Sequence, residues 1–190
     1  KIEGSKGESL YFGQDHEFLR PKGAISLKIL FPKDIMSPKH RAFSRIYTAC
    51  VNESLNELSY PARLAGLNYS IKEGYEGIYV DVSGYKESSL RLYELMLEHM
   101  TDFKITQSQF EAIKDKIVRD YENLALSDAY MQTRELAPDL FYNIKYTWKQ
   151  VLPIAKGATF DEIKSYESNL FTRTYPVSYT HLTLPTMLWV

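Results

Sequence analysis

Residues Leu55 to Ile71, LNELSYPARLAGLNYSI, and Ile78 to Tyr85, IYVDVSGY, set the pattern for the rest of the chain. The first run ends a helix, turns through Pro61 and Gly66, and launches a strand. Leu67, Tyr69 and Ile71 alternate with Asn68, Ser70 and Lys72, the period of two that gives a strand one buried face. Gly74 and Gly77 bracket Tyr75 and Glu76 and supply turn chemistry. Ile78, Val80 and Val82 then repeat the alternation. The order is helix, tight turn, antiparallel hairpin.

Upstream, GAISLKILF places Ile25, Leu27, Ile29 and Phe31 on one face of a strand that Pro32 ends. Ser37-Pro38 is a helix start: an oxygen to cap free N–H groups, then a proline whose missing N–H costs nothing in the first turn. Phe43, Ile46, Tyr47, Cys50, Val51, Leu55 and Leu58 follow at helical spacing. Downstream, a second helix starts at Ser88 or Ser89, with Leu90, Tyr93, Leu97 and Met100 inward and Leu92 and Met96 widening that face. Thr106 with Gln109 predicts a capping box for a third, striped by Phe110, Ile113, Ile117, Tyr121 and Leu124. Its outer face carries Asp115 with Arg119 and Lys116 with Asp120 at i,i+4, a solvated pattern. Helix is expected from Tyr130 to Trp148 with a break near Pro138. Thr159 with Glu162 caps a last helix through Ile163, Tyr166 and Leu170.

Composition narrows the function. With 190 residues, 44% hydrophobic and 25% charged, the chain has enough apolar side chains for one globular core. Its net charge of -1 gives no electrostatic reason to bind nucleic acid or an anionic membrane. Lys145, Trp148 and Lys149 form a small basic-aromatic cluster better explained by a helix with an anchored Trp. No apolar run approaches the ~20 residues that span a bilayer. Cys50 has no second cysteine to pair with and no basic neighbour to activate it, so it reads as a core residue. Fifteen tyrosines are the one compositional excess. Tyr60, Tyr69, Tyr75, Tyr79 and Tyr85 crowd the hairpin region, where packing against a core or a neighbouring domain accounts for them better than peptide contact.

Chemistry-bearing patterns fail in turn. A zinc site of the inverted type needs H-x-x-E-H on a helix. His16 is followed by EFLR, His40 by RAFS, His99 by MTDF and His181 by LTLP, and each is expected at the surface. There is no G-x-S-x-G and no phosphate-cradling glycine loop; Ser83-Gly84 reads as a turn. Glu94 and Glu98 share a helix face without apolar surroundings, which suits a solvated surface better than an acid-base couple. No residue is assigned a catalytic, cofactor-binding or metal-ligating role.

The LNE, aromatic, A-x-L-A-G-L-x-Y run and the following G-x-Y-V-x-V-x-G-Y segment resemble the third, middle domain of the pitrilysin and insulin-degrading-enzyme (insulinase) family of zinc metallopeptidases. The likeness extends from about Tyr11 to about Arg173. It implies an α+β fold, an antiparallel β-sheet with helices packed on one face, C-terminally truncated. It implies a non-catalytic wall of the chamber in which such a metalloendopeptidase degrades peptides, with the fragment itself inactive. An alternative is a structural or binding subunit from a catalytically dead member. Zinc is then expected in the first domain of the parent, with none in this fragment. The implied partners are the other domains of the same polypeptide and an enclosed peptide substrate. The compartment stays open between cytoplasm and bacterial periplasm.

Three segments are expected: 1–21, a lead-in from a preceding domain; 22–176, the incomplete middle domain; and 177–190, a non-native tail. Opening on Lys1 with neither Met nor a signal peptide, the chain is expected to be a fragment or processed product. After Arg173 the composition changes, and Pro176 to Val190 lacks Lys, Arg, Asp and Glu. VSYTHLTL would suit a terminal strand. Yet VSYTHLTLPT, Val177 to Thr186, is similar to the translation of a transposase-type sequencing-library adapter. The native sequence is therefore expected to stop near Pro176, leaving an unpaired sheet edge.

Overall fold

The computed structural model describes residues 22–137, 146–173 and 175–182. The 1–21 lead-in, His16, the break at Pro138, Lys145 and the last eight residues of the tail lie outside them. In chain order the elements are β1 (Lys22–Leu30), α1 (Pro38–Ser54), α2 (Asn56–Leu64), β2 (Asn68–Glu73), β3 (Gly77–Tyr85), α3 (Lys86–Thr101), α4 (Gln107–Leu126), α5 (Ala129–Leu136), α6 (Trp148–Gly157), α7 (Phe160–Leu170) and β4 (Tyr175–Leu182).

The strands form one antiparallel sheet in the order β2-β3-β1-β4. The alternation read from the sequence decides its two faces. Ile25, Leu27, Ile29, Ile71, Ile78, Val80 and Val82 are buried under helices. Register puts Ser26 and Ser70 on either side of Asp81, and Lys28 and Lys72 on either side of Tyr79. On this polar face both serine hydroxyls donate to the Asp81 carboxylate, at 2.7 and 3.3 Å. The fold is α+β.

Helix α1 is the hub, touching α2, α3, α4, α6, α7 and β2. Ser37 caps it by accepting from the His40 N–H at 3.1 Å, an interaction of about 1 kcal/mol. Ile46, Tyr47, Cys50 and Val51 are fully enclosed. Each such aliphatic side chain contributes roughly 1.5–3 kcal/mol by leaving water. The expected capping boxes at Thr106 and Thr159 are present, and so is a third at Thr147 with Gln150.

Four local readings are corrected. The helix expected to run to Leu58 stops at Ser54; the buried Leu55 is a joint, and α2 starts at Asn56. Pro61 does not turn the chain but sits inside α2, where the carbonyl it leaves unbonded belongs to the exposed Glu57. The turn is made by Gly66 at φ 73°, with the N–H groups of Gly66 and Leu67 returning to the carbonyls of Arg63 and Ala62. Helix α3 starts at Lys86 rather than Ser88 or Ser89. Because it leaves β3 without an intervening turn, the strand sets its rotation. Ser89, Leu92, Met96 and Met100 face inward while Leu90 is 40% exposed.

The expected unpaired edge of β1 is also not observed. β4 crosses Pro176 and pairs with β1 from Leu30↔Tyr175 to Gly23↔Leu182. Ladder hydrogen bonds are made by main chain, so an extended, β-branched segment satisfies this edge whatever its origin.

A carboxylate pins the helical layer to the turn between α3 and α4. Glu167 of α7 is 6% exposed and accepts from the Phe103 N–H at 2.8 Å and from Lys164 Nζ at 2.9 Å. Lys164 in turn donates to the Phe103 carbonyl at 2.6 Å.

Candidate functional site

His99 lies with Nδ1 2.7 Å from the Ser54 hydroxyl. His40 is not at the surface as expected: only 8% is exposed, its ring meets Phe31 edge-on at 4.4 Å, and Nδ1 lies 3.4 Å from the Tyr166 hydroxyl. Burial, and secondarily the neighbouring Arg41 charge, lower its pKa to about 4. Glu94 and Glu98 are both exposed on α3. Among the described residues no three His, Cys, Asp or Glu side chains come together in a way that could hold a metal. These residues do not fit a zinc site, and no helix among them is long and apolar enough to cross a membrane.

Cys50 is fully buried, and burial pushes its thiol up to about 12. The thiolate is the reactive form, so native chain at pH 8 is expected to resist iodoacetamide and to be alkylated once unfolded. Mass spectrometry of samples alkylated with and without denaturant checks this; full modification of the folded chain would contradict it.

The hairpin tyrosines divide between packing and cation contacts. Tyr69 donates to the Leu55 carbonyl at 3.3 Å; Arg41 lies over Tyr75 at 4.9 Å, and Lys28 over Tyr79 at 5.2 Å. Arg41 also forms a largely buried ion pair with Glu73 and donates to the Gly74 carbonyl at 2.6 Å. This fixes α1 to the tip of the hairpin. Lys149 covers the half-buried Trp148 at 5.6 Å, an anchor of the kind expected for that cluster.

The remaining feature is a cleft of about 490 Å³ along β2, with Asn52, Asn56, Arg63, Asn68, Tyr69 and Ile71 among its lining. Asn52 spans from α1 to the sheet, its amide donating to the carbonyls of Thr48 at 2.9 Å and Ile71 at 3.0 Å. No motif in the sequence marks this cleft. Asn52 and Asn56 sit four apart on either side of the Leu55 joint, and Arg63 is a charge within an otherwise apolar PARLAGL run, but neither spacing is diagnostic.

A helix-covered antiparallel sheet, polar on its other face, defines an α+β domain. Residues 1–153 match the family model described as the middle or third domain of peptidase M16. The chain belongs to that peptidase family. It is 26% identical over 180 residues to human insulin-degrading enzyme, covering 95% of this chain and 18% of that protein. A Schizosaccharomyces pombe relative that bears the name of a zinc protease, mug138, is 24% identical over 180 residues, covering 95% of this chain and 19% of the relative. Among solved structures, pitrilysin superposes with a TM-score of 0.77 at 20% identity, over 88% of this chain and 18% of that one. The chain thus spans about a fifth of the length of these relatives.

Proposed function

We propose that residues 22–176 serve as a non-catalytic wall of the reaction chamber in a pitrilysin-like zinc metalloendopeptidase that degrades peptides, and that the chain alone is inactive. The match to the middle domain of the family carries this reading. The arrangement of side chains supports it. The helical face of the sheet is consumed by core packing, whereas the polar face and the β2 cleft remain for contact with other domains or an enclosed peptide. A wall acts by excluding bulk water and oversized substrates and by positioning the part of the molecule that closes on the reacting bond. Zinc belongs to the first domain of the parent. Residues 1–21 are then the lead-in from a preceding domain, and 177–190 the non-native tail.

The test is cleavage of a quenched fluorescent peptide by the complete parent polypeptide and by this chain, each with and without chelator. Chelator-sensitive cleavage by the parent and none by the chain is the expected result. Cleavage by the chain itself, or none by a folded parent, would overturn it; the latter is the outcome for a structural subunit.

A further inference from the structure

We propose that the apolar corner formed by Tyr60, Leu64 and Tyr85 is the docking site of residues 7–19 of this same chain, the stretch that leads into β1. Tyr60 and Leu64 stand four apart on one face of α2 and are 69% and 72% exposed. Tyr85, at the end of β3, is 51% exposed. Its ring lies against Gly66, where an ideal Cβ would fall 3.6 Å from Cε2, and Gly66 follows Leu64 by two residues. Lys22 Nζ sits over the same ring at 5.7 Å. Single exposed apolar side chains are ordinary, but adjoining large ones mark a contact surface. Among the described side chains of α2, Ala62 is buried and Leu58 half-buried, and the others are left open to such a contact.

The register of the sheet identifies the occupant. Lys22 is paired with Tyr85, so whatever precedes β1 enters beside this corner. An extended chain advances about 3.3 Å per residue, so Leu19 can stand no farther than about 10 Å from Lys22. Phe12 can reach about 33 Å, well beyond the ~14 Å length of α2. Residues 7–19, GESLYFGQDHEFL, bring Leu10, Tyr11, Phe12, Phe18 and Leu19 together with the acids Glu8, Asp15 and Glu17, and contain no Lys or Arg. The corner is the complement: three large apolar side chains flanked by the cations Lys22 and the exposed Arg63. Running back from Lys22 along α2, this stretch brings Phe18 and Leu19 to Tyr85, its acids to Arg63, and Leu10 to Phe12 onto Leu64 and Tyr60. The acid on that face, Glu57, stands at its far end, toward Lys6. The family model also begins at residue 1 and not at Lys22, as it would for a stretch belonging to the folded unit. Residues 183–190 leave the sheet at the same end, but from β4, on the side of β1 away from β3, and hold no acid to meet Arg63.

The docking follows from chain order alone. Its consequence rests on the proposed function: the connection to the preceding domain is held as a strap against α2. The test uses the 190-residue chain with Tyr60 replaced by the photo-crosslinker benzoylphenylalanine, irradiated and mapped by mass spectrometry. A cross-link to residues 7–19 within one chain is expected. A cross-link to residues 183–190, a product joining two chains, or no cross-link overturns the proposal. Amide exchange gives a second reading. Leu10 to Phe12 should exchange more slowly than in a free peptide. Leu64→Glu should speed those amides by at least about tenfold, the worth of one buried leucine, while β1 and β3 keep their protection because Leu64 points away from the core. Arg63→Glu should speed them by about threefold, and adding Glu17→Arg should restore the slower rate. Unaltered exchange at Leu10 to Phe12 in the Leu64→Glu chain overturns the proposal; if the sheet loosens as well, the cross-link decides. A parent that cleaves nothing would sink the chamber reading and leave the cross-link standing.

Discussion

A Gly77→Ala chain is expected to lose about 4 kcal/mol of stability, the upper end of what a single substitution does. Gly77 opens β3 opposite Leu30, where the two backbones run closer than any side chain permits. A Cβ built there falls inside the contact radius of the Ile29 carbonyl oxygen, 2.8 Å from its carbon and 3.1 Å from the Leu30 Cα. All three atoms are main chain in the central strand pair, so no rotamer change relieves the clash; β1 must move away from β3. Folded domains are stable by only about 5–15 kcal/mol, so the variant should melt far below the parent chain or fail to accumulate folded. Gly157→Ala is the matched control. A Cβ there meets nothing within 4 Å, and the residue ends α6. The change should be neutral or stabilising by about 0.5 kcal/mol. Urea denaturation of both variants gives the comparison, and equal midpoints would refute the close-approach account.

Acid should destabilise the fold through His40. Its folded pKa is about 4, against an unfolded reference near 6.5. The folded state therefore resists protonation, and between those values the unfolded chain binds the extra proton. Stability from this group is intact above about pH 6.5 and falls as pH drops toward 4, by roughly 3 kcal/mol in all. The surroundings explain why protonation is not accommodated. Phe31 presents its ring, Arg41 carries a like charge, and the buried His40 Nε2 has no hydrogen-bond partner among the described residues. Denaturation midpoints measured from pH 7.5 to 4.5 should decline less steeply for His40→Gln than for the unaltered chain. Parallel pH slopes would show that other groups carry the acid sensitivity.

These effects mark the limit of what local sequence discloses. Capping boxes at Thr106 and Thr159 are legible because both partners lie within four residues, and Thr147-Trp148-Lys149-Gln150 carries the same spacing, hidden by running a helix through it. Sheet faces are legible because period-2 alternation maps directly onto burial. By contrast, His40 is buried partly by Tyr166, 126 residues away, and Glu167 becomes a core group only through Phe103. Asp120 offers another case: the expected partner is Lys116 on its own helix, but its carboxylate lies 3.7 Å from Arg45 of α1. The β2 cleft likewise exists only once α1, the Leu55 joint and an edge strand meet. No spacing in one segment encodes that meeting.

The dependence of α1 on α7 has a temporal corollary. His40, Phe43 and Tyr47 are enclosed by Tyr166, so the hub emerges from the ribosome more than a hundred residues before its cover. The β1–β2–β3 sheet can zip early, but a nascent polypeptide halted short of Tyr166 presents aromatic surface to the cytosol or secretion machinery. Such a chain is a substrate for holdases and a seed for clumping. Completion of α7, rather than of the hairpin, is the moment at which the aromatic face of α1 is covered.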